Sequence, residues 1–168
     1  MSRIRLRPAR TEDADAIARI YNHYITESTA TFHTQPVDAA ERALWMAERG
    51  DAYPTVIAEE GGSVCAWGSL SRHSPRPGWN PTVEISIYVD PTHTGSGIGR
   101  QIMDELLSRA SQRGYHTVVS QIVSGNEPSI ALASSAGFRE VGTLREAGLK
   151  FGQRLDVVIM QLLLDDSE

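Results

Sequence analysis

The sequence lacks the features that define several other classes of protein. Cys65 is the only cysteine among 168 residues, so no intrachain disulfide can form, and we expect a protein of a reducing, cytoplasmic compartment. No apolar run is long enough to span a bilayer, and the first residues contain no apolar core of a secretion signal. The sequence therefore predicts no association with a membrane.

Basic runs and metal-ligand patterns are also absent. The formal net charge is −5 at pH 7, which argues against non-specific binding to nucleic acids or to anionic membranes. The five histidines show no ligand spacing such as His-x-x-x-His, so no metal site is predicted. We expect a single domain over residues 1–168, whose acidic balance does not forbid a local site for a polyanion.

Hydrophobic periodicity predicts both strands and helices. Strands are expected at residues 4–7, 55–59, 63–70, 82–89, 117–123, 138–144 and 154–164. Helices are expected after Thr11, which is a candidate N-cap, at residues 37–48 and 98–113, and from Pro128. Because strands and helices do not alternate strictly, we expect a mixed sheet with helices on both faces.

The chain is organised around residues 82–113. In the first part of this stretch apolar and polar side chains alternate, so one strand face is apolar and the other carries Thr82, Glu84, Ser86 and Tyr88. A glycine-rich segment follows and leads into a helical pattern that stops at Gly114. The pattern predicts a strand, a tight turn and a long helix in direct succession.

The segment Gly95-Ser96-Gly97-Ile98-Gly99-Arg100, called the glycine turn below, joins this strand to the helix. Glycines let the backbone turn sharply and let a ligand approach its amides closely. The first amides of a helix have no internal partners and lie at the positive end of its dipole, so the turn predicts a phosphate site. The alternative is a plain glycine-rich loop, and the spacing fits neither a P-loop nor a Rossmann fingerprint.

This arrangement resembles the acyl-CoA pyrophosphate loop of the GNAT N-acetyltransferase superfamily, which has the form Arg/Gln-x-x-Gly-x-Gly/Ala. Gly97 and Gly99 match its two glycines. Thr94 stands at the Arg/Gln position, a departure that removes a side-chain contact but keeps the backbone amides. Arg100 is a candidate for replacing part of the missing charge.

Over nearly its whole length the chain also resembles one branch of that superfamily, the phosphinothricin and methionine sulfone (methionine sulfoximine) N-acetyltransferases. Four stretches carry the resemblance in the same order, at residues 20–32, 82–89, 126–138 and 150–157. Two positions depart from the branch. Ser74 stands where the branch has an arginine, and Ala133 stands where many relatives have a histidine or tyrosine.

The resemblance implies an α/β fold of the GNAT type. We expect a single mixed, mostly antiparallel twisted sheet of six to seven strands flanked by about four helices, with the central strand splayed to admit acetyl-CoA. It also implies direct transfer of the acetyl group from acetyl-CoA to the α-amine of a small amino-acid-like acceptor in a ternary complex. No metal is implied.

Two residues of the central strand are expected to carry the chemistry. Glu84 is the expected general base, because an α-ammonium must lose a proton before it can attack. Tyr88 is a candidate proton donor to the thiolate that leaves. The alternatives are a structural carboxylate for Glu84 and a packed strand aromatic for Tyr88.

The resemblance implies two sets of binding residues. Acetyl-CoA is expected to contact Ile87, Tyr88, Val89, Gly95, Ser96, Gly97, Ile98, Gly99, Arg100, Asn126 and Ser129. The acceptor is expected to contact Phe32, Arg72, Arg76 and Glu84. A solvated surface loop is the alternative for residues 71–81, and the aromatic stripe at residues 21–24 is either core or the lining of a pocket.

Two other functions remain open at this point. One is a non-catalytic acyl-CoA-binding module, which the retained Glu84 disfavours, and the other is a protein N-terminal acetyltransferase. The resemblance also implies a homodimer. The apolar last strand, with Phe151 and Leu155 nearby, is the candidate contact surface.

Overall fold

The computed structural model describes residues 3–164 of the chain. Within this range the α-helices are α1 (Ala14–Glu27), α2 (Ala39–Arg49), α3 (Ile98–Gln112) and α4 (Glu127–Ser135). The strands are β1 (Arg5–Pro8), β2 (Thr55–Glu60), β3 (Ser63–Arg72), β4 (Thr82–Val89), β5 (Thr117–Val123), β6 (Arg139–Lys150) and β7 (Gln153–Leu163). No helix in this part of the chain is both long and apolar enough to cross a membrane.

The strands form one sheet in the order β1-β2-β3-β4-β5-β7-β6. Every neighbouring pair is antiparallel except β4 and β5, which are parallel and joined by the crossover through α3. The predicted fold class is therefore confirmed: the sheet is mixed and mostly antiparallel, with seven strands and four α-helices among the described residues.

Helix α3 packs on one face of the sheet, against the apolar side of β4. Val83 and Ile85 of the strand share a buried cluster with Ile102 and Leu106 of the helix. The close approach depends on Gly68 of β3, because a Cβ atom there would lie 2.6 Å from Ile102 Cγ2 and 2.9 Å from Leu106 Cδ1. A larger residue at that position would push the helix away from the sheet.

Helices α1 and α2 cover the opposite face. Ile17, Ile20 and Tyr21 of α1 pack on Ile57 and Trp67 of the sheet in a second buried cluster. Trp67 lies opposite Tyr88 in the register of β3 and β4, so the polar side of β4 faces these two helices. Glu84 therefore lies on the side of the sheet that faces α1 and α2, and not in the core beneath α3.

The prediction that Thr11 caps the first helix is wrong. Thr11 begins a short 3-10 turn (Thr11–Asp13), and the α-helix starts three residues later at Ala14. The Asp13 carboxylate accepts a hydrogen bond from the Arg10 amide at 2.7 Å and from both terminal nitrogens of Arg7 at 2.8 and 2.9 Å. These bonds close the turn and make Asp13 the residue that precedes the helix.

Two other predicted boundaries also move. The second helix begins at Ala39 because Asp38 and Glu41 form a capping box, with bonds of 2.7 and 2.8 Å between each side chain and the other residue's amide. Strand β6 extends from Arg139 to Lys150 rather than ending at residue 144. A register irregularity between Leu144 and Gly148 interrupts the alternation of side chains along the strand. The sequence pattern therefore did not predict the second half of β6.

Candidate active site

The central strand separates from its parallel neighbour halfway along its length. β4 pairs with β5 only over residues 82–84, whereas it pairs with β3 as far as Val89. Beyond the separation β5 continues beside β7 up to Val123. The predicted splay of the central strand is confirmed, and it leaves the β5-facing side of residues 85–89 without a partner strand.

A cavity of about 800 Å³, called the cofactor cleft below, opens at this split. Ten of the eleven predicted cofactor-binding residues line it: Ile87, Tyr88, Val89, Gly95, Gly97, Ile98, Gly99, Arg100, Asn126 and Ser129. Its volume lies within the range of ordinary ligand sites, at roughly 300–1,000 Å³. The far wall comes from the end of α1 and the residues that follow it, Tyr24, Ser28, Thr29 and Ala30, which the sequence did not single out as cofactor contacts.

The glycine turn has the geometry that a phosphate site requires. Gly95 and Gly97 have φ angles of +76° and +80°, which L side chains rarely adopt. Gly97 precedes α3 and has no side chain that could cap it, and the first intrahelical bond is donated by the Gln101 amide to the Gly97 carbonyl. The earlier amides of the helix therefore lie at its positive end beside the cofactor cleft.

Ser96 and Arg100 differ from the expectation in their side-chain contacts. Ser96 is not among the lining residues of the cofactor cleft, and its hydroxyl donates to the His93 carbonyl. Arg100 lines the cleft, but its guanidinium donates to Asp104 at 2.9 Å and to Ser135 at 3.0 and 3.2 Å. Its positive charge is therefore paired with the Asp104 carboxylate and is not free to bind a phosphate.

Asp90 fixes the path of the chain between β4 and the glycine turn. Its carboxylate accepts bonds from the amide and hydroxyl of Thr92 at 3.0 and 2.7 Å and from Arg19 at 2.6 Å. Burial by itself would raise the pKa of Asp90, but the bonds from Arg19 and Thr92 outweigh it and lower the pKa to about 2. The carboxylate is ionised at neutral pH and ties α1 to the start of the turn.

A second cavity of about 370 Å³, the acceptor cleft, lies on the polar side of β4. Glu84, Ser86 and Tyr88 form its floor, and residues 29–33 form one of its walls. Glu84 Oε1 accepts a hydrogen bond from Gln121 at 2.8 Å and lies 2.9 Å from His73 Nδ1. Both contacts use the same oxygen, and no hydrogen bond among residues 3–164 uses Glu84 Oε2.

The two clefts meet at Thr29, Ala30, Tyr88 and Val123, which line both of them. The Tyr88 ring packs against Trp67 and Tyr21, with ring centroids 5.0 Å apart in each case. Burial raises the pKa of the Tyr88 hydroxyl well above its ordinary value, so the phenol keeps its proton at neutral pH. Tyr88 is therefore both a packed aromatic and a wall of the site.

The aromatic residues at positions 21–24 of α1 have both of the roles predicted for them, as part of the core and as the lining of a pocket. Tyr21 is buried in the core under α1, yet it also lines the acceptor cleft, where its hydroxyl bonds Thr31 Oγ1 at 2.9 Å and His33 Nδ1 at 2.8 Å. Tyr24 lines the cofactor cleft and donates to the Val89 carbonyl. Burial, with the nearby charges of Arg42 and Lys150, lowers the pKa of His33 and favours the neutral imidazole.

The predicted acceptor contacts divide into two groups. Phe32 and Glu84 line the acceptor cleft, but Arg72 and Arg76 do not. Arg72 donates to the Pro75 carbonyl at 3.0 Å, and Arg76 is exposed at the start of a 3-10 turn (Pro77–Trp79). Arg72 ends β3 and Arg76 lies in the loop that follows, and neither is among the lining residues of the acceptor cleft.

His73 and Gln121 are the functional-site residues that sequence reasoning missed. Gln121 is a polar residue in a strand that the sequence predicts to be buried, which was the available signal. Its side chain reaches Glu84 only because Val119 of β5 pairs with Glu84 in the parallel register. His73 is also held by Trp79, with ring centroids 4.7 Å apart. Among the described residues no three His, Cys, Asp or Glu side chains are grouped so that they could hold a metal ion.

Three features of this fold together are typical of acyl-CoA-dependent transferases. They are a pair of parallel strands that separate, a glycine turn at a helix N-terminus and a polar cleft beyond the separation. The profile of the Acetyltransferase (GNAT) family matches residues 17–138. The chain belongs to the GNAT acetyltransferase family, and it is an N-acetyltransferase that uses acetyl-CoA as its acyl donor.

Three relatives place the chain within this family. It is 40% identical to the L-amino acid N-acyltransferase MnaT of Escherichia coli over 96% of this chain and 94% of the relative. It is 37% identical to an L-methionine sulfoximine/L-methionine sulfone acetyltransferase of Salmonella typhimurium over 96% and 95% of the two chains. A Sinorhizobium meliloti phosphinothricin acetyltransferase solved with acetyl-CoA superimposes with a TM-score of 0.92 at 33% identity, covering 98% of this chain and 89% of that one.

Proposed function

We propose that this protein acetylates the α-amine of a small amino acid whose side chain ends in a tetrahedral, oxygen-bearing centre, such as methionine sulfone, methionine sulfoximine or phosphinothricin. The observation that carries the proposal is the meeting of the two clefts at Tyr88, with a carboxylate on the acceptor side. The names of the relatives supply the class of acceptor.

The residues of the cofactor cleft fit acetyl-CoA. The glycine turn offers backbone amides at a helix N-terminus to the pyrophosphate, and the cleft continues along residues 87–89 toward the acceptor side. Acetyl-CoA supplies an activated acetyl thioester, and the chain has to position it beside the amine. Thr94 and the engaged Arg100 leave the phosphate interaction mainly to backbone donors.

Glu84 acts as the general base in this proposal. An α-ammonium titrates near pH 8, at about 7.7–8.0, so most of it must lose a proton before attack. Glu84 Oε1 is held by His73 and Gln121, which leaves Oε2 to accept that proton directly or through a water. Tyr88, whose phenol stays protonated, is the proposed donor to the leaving thiolate; because a thiol titrates near about 8.5, this step needs little assistance.

Side-by-side turnover of methionine sulfone and phosphinothricin tests the proposed acceptor class. Because Ser74 stands where the branch has an arginine, we expect less positive surroundings for the acceptor and a higher kcat/KM for the neutral-tipped methionine sulfone, with weaker but measurable turnover of phosphinothricin. Release of the free thiol reports the rate. Strong preference for phosphinothricin would contradict the argument from Ser74.

Controls in the same assay separate the other functions. Acetyl-CoA binding without thiol release for any acceptor would favour a non-catalytic module, and turnover restricted to peptides would favour an N-terminal acetyltransferase. The resemblance implies that Arg76 contacts the acceptor, so Arg76→Ala should raise KM for both amino acids although Arg76 is not a lining residue of the acceptor cleft, whereas Arg5→Ala should not. Arg5 is a matched control because its side chain is 70% exposed on β1, the strand at the far edge of the sheet.

We also propose that the protein is a homodimer that associates through the hairpin of β6 and β7. Leu149 and Phe151 of this hairpin are 66% and 58% exposed, and Leu144 of β6 and Leu163 of β7 are exposed as well. We expect light scattering at micromolar protein to give twice the chain mass, and Leu149→Asp to reduce it. A single-chain mass for the unaltered protein would contradict the proposal.

A further inference from the structure

Lys150 is the one lysine in a chain with 16 basic side chains. It lies at the end of β6 and is only 3% exposed. Its Nζ donates to three backbone carbonyls, those of Tyr24 at 3.2 Å, Ser28 at 2.6 Å and Thr31 at 2.7 Å. The three donors of the ammonium thus meet three acceptors, and no carboxylate lies within ion-pair distance of it among the described residues.

The three carbonyls belong to the end of α1 and the segment that follows it. Tyr24 lies in the last turn of α1, whose carbonyls are at the negative end of the helix, so a cation is favourable there. Ser28 and Thr31 lie beyond the helix, where no regular ladder holds their carbonyls. A compact ammonium can bond three converging carbonyls, whereas the planar guanidinium of an arginine presents its donors in a fixed fork.

The segment that Lys150 holds is a wall of both clefts. Residues 28–30 line the cofactor cleft, and residues 29–33 line the acceptor cleft. The same hairpin makes a second contact with this wall, because the Phe32 ring occupies the space where a Cβ atom of Gly148 would be, at 2.2 Å. Two contacts therefore join the hairpin to this wall: the hydrogen bonds of the Lys150 ammonium and the packing of the Phe32 ring on the backbone at Gly148.

We propose that Lys150 is a positioning residue for the acceptor: it fixes residues 28–33 against the polar side of β4 and so sets the width of the acceptor cleft. The inference rests on the proposed function for the identity of the acceptor. The contact between Lys150 and the three carbonyls does not depend on that function. The Lys150 ammonium bonds three backbone carbonyls and lies 5.1 Å from the Phe151 ring centroid, so it acts through the wall and not on the reacting atoms.

Chemical modification of the unaltered protein tests the contact. Because Lys150 is the only lysine, reductive methylation followed by mass spectrometry of its peptide reports on this single side chain. We expect modification in the native protein to be about a hundredfold slower than in urea-unfolded protein, since buried groups react only on opening. Equal rates in the two states would overturn the inference.

Variants test the positioning role. Lys150→Met should raise KM for methionine sulfone about tenfold, as expected for lost charge-assisted bonds. It should also weaken acetyl-CoA binding, because the carbonyls of Tyr24 and Ser28 that it releases belong to residues of the cofactor cleft. Lys150→Arg, which keeps the charge, should give an intermediate KM and serves as the second variant if the methionine form does not fold. Arg154→Met on the same hairpin, with a side chain 72% exposed, should change neither quantity.

Hydrogen exchange separates failure of this inference from failure of the proposed function. Lys150→Met should speed exchange in residues 22–33 and leave the glycine turn unchanged, whether or not an acceptor is turned over. If wild-type protein acetylates neither amino acid, the proposed function fails while exchange and methylation still decide the contact. Unchanged exchange in residues 22–33, or an unchanged KM with an active wild type, would overturn the positioning role.

Discussion

Replacing Glu84 by glutamine is expected to lower kcat by about 10²-fold or more, the usual effect of removing a general base. Glutamine keeps the size of the side chain, and its carbonyl oxygen can still accept the bonds from His73 and Gln121 that Glu84 Oε1 receives. Only the capacity to take a proton is lost. Thiol release with saturating methionine sulfone and acetyl-CoA measures the effect.

The expected result distinguishes an effect on the chemical step from an effect on acetyl-CoA binding. The acetyl-CoA dissociation constant should remain unchanged, because Glu84 lines the acceptor cleft and not the cofactor cleft. Glu140→Gln, an exposed carboxylate-to-amide change on β6, is the matched control and should keep full activity. Retention of most activity by Glu84→Gln through the neutral pH range would assign Glu84 a structural role and require another base.

The features that could be predicted from the sequence are those encoded by neighbouring residues. Alternation over residues 82–89 placed Glu84 and Tyr88 on the polar side of a strand, and the glycine turn follows this strand after only residues 90–94. Eight of the ten predicted cofactor contacts that line the cofactor cleft follow from this local strand, turn and helix, whereas Asn126 and Ser129 lie at the start of α4. Their roles toward the ligand stay predictions until they are measured.

The features that could not be predicted depend on pairing between distant segments. Gln121 reaches Glu84 through the parallel register of β4 and β5, and Lys150 reaches Thr31 across more than a hundred residues of chain. Neither contact has a local signature. Arg72 and Arg76 show the opposite limit: the sequence singled out these residues, but it could not place their side chains relative to the acceptor cleft.

Gly97→Val is expected to weaken acetyl-CoA binding by about 10²-fold, which corresponds to the loss of one or two charge-assisted hydrogen bonds. Gly97 has a φ of +80°, which a β-branched residue adopts only with strain. A Cβ atom there would meet no heavy atom within 4 Å, so the new side chain would stand in open space beside the cofactor cleft instead of clashing with the core. The substitution should therefore disturb the phosphate site more than the fold.

Gly114→Val is the matched control for this prediction, because it introduces similar strain at the other end of the same helix. Gly114 has a φ of +77°, its Cβ would also meet no heavy atom within 4 Å, and it does not line the cofactor cleft. Each substitution should lower the melting temperature to a similar extent, through a backbone cost of about 1–2 kcal/mol. Calorimetric titration with acetyl-CoA should then show normal affinity for Gly114→Val and weak binding for Gly97→Val. Equal affinities in the two variants would contradict the assignment of the glycine turn to the pyrophosphate.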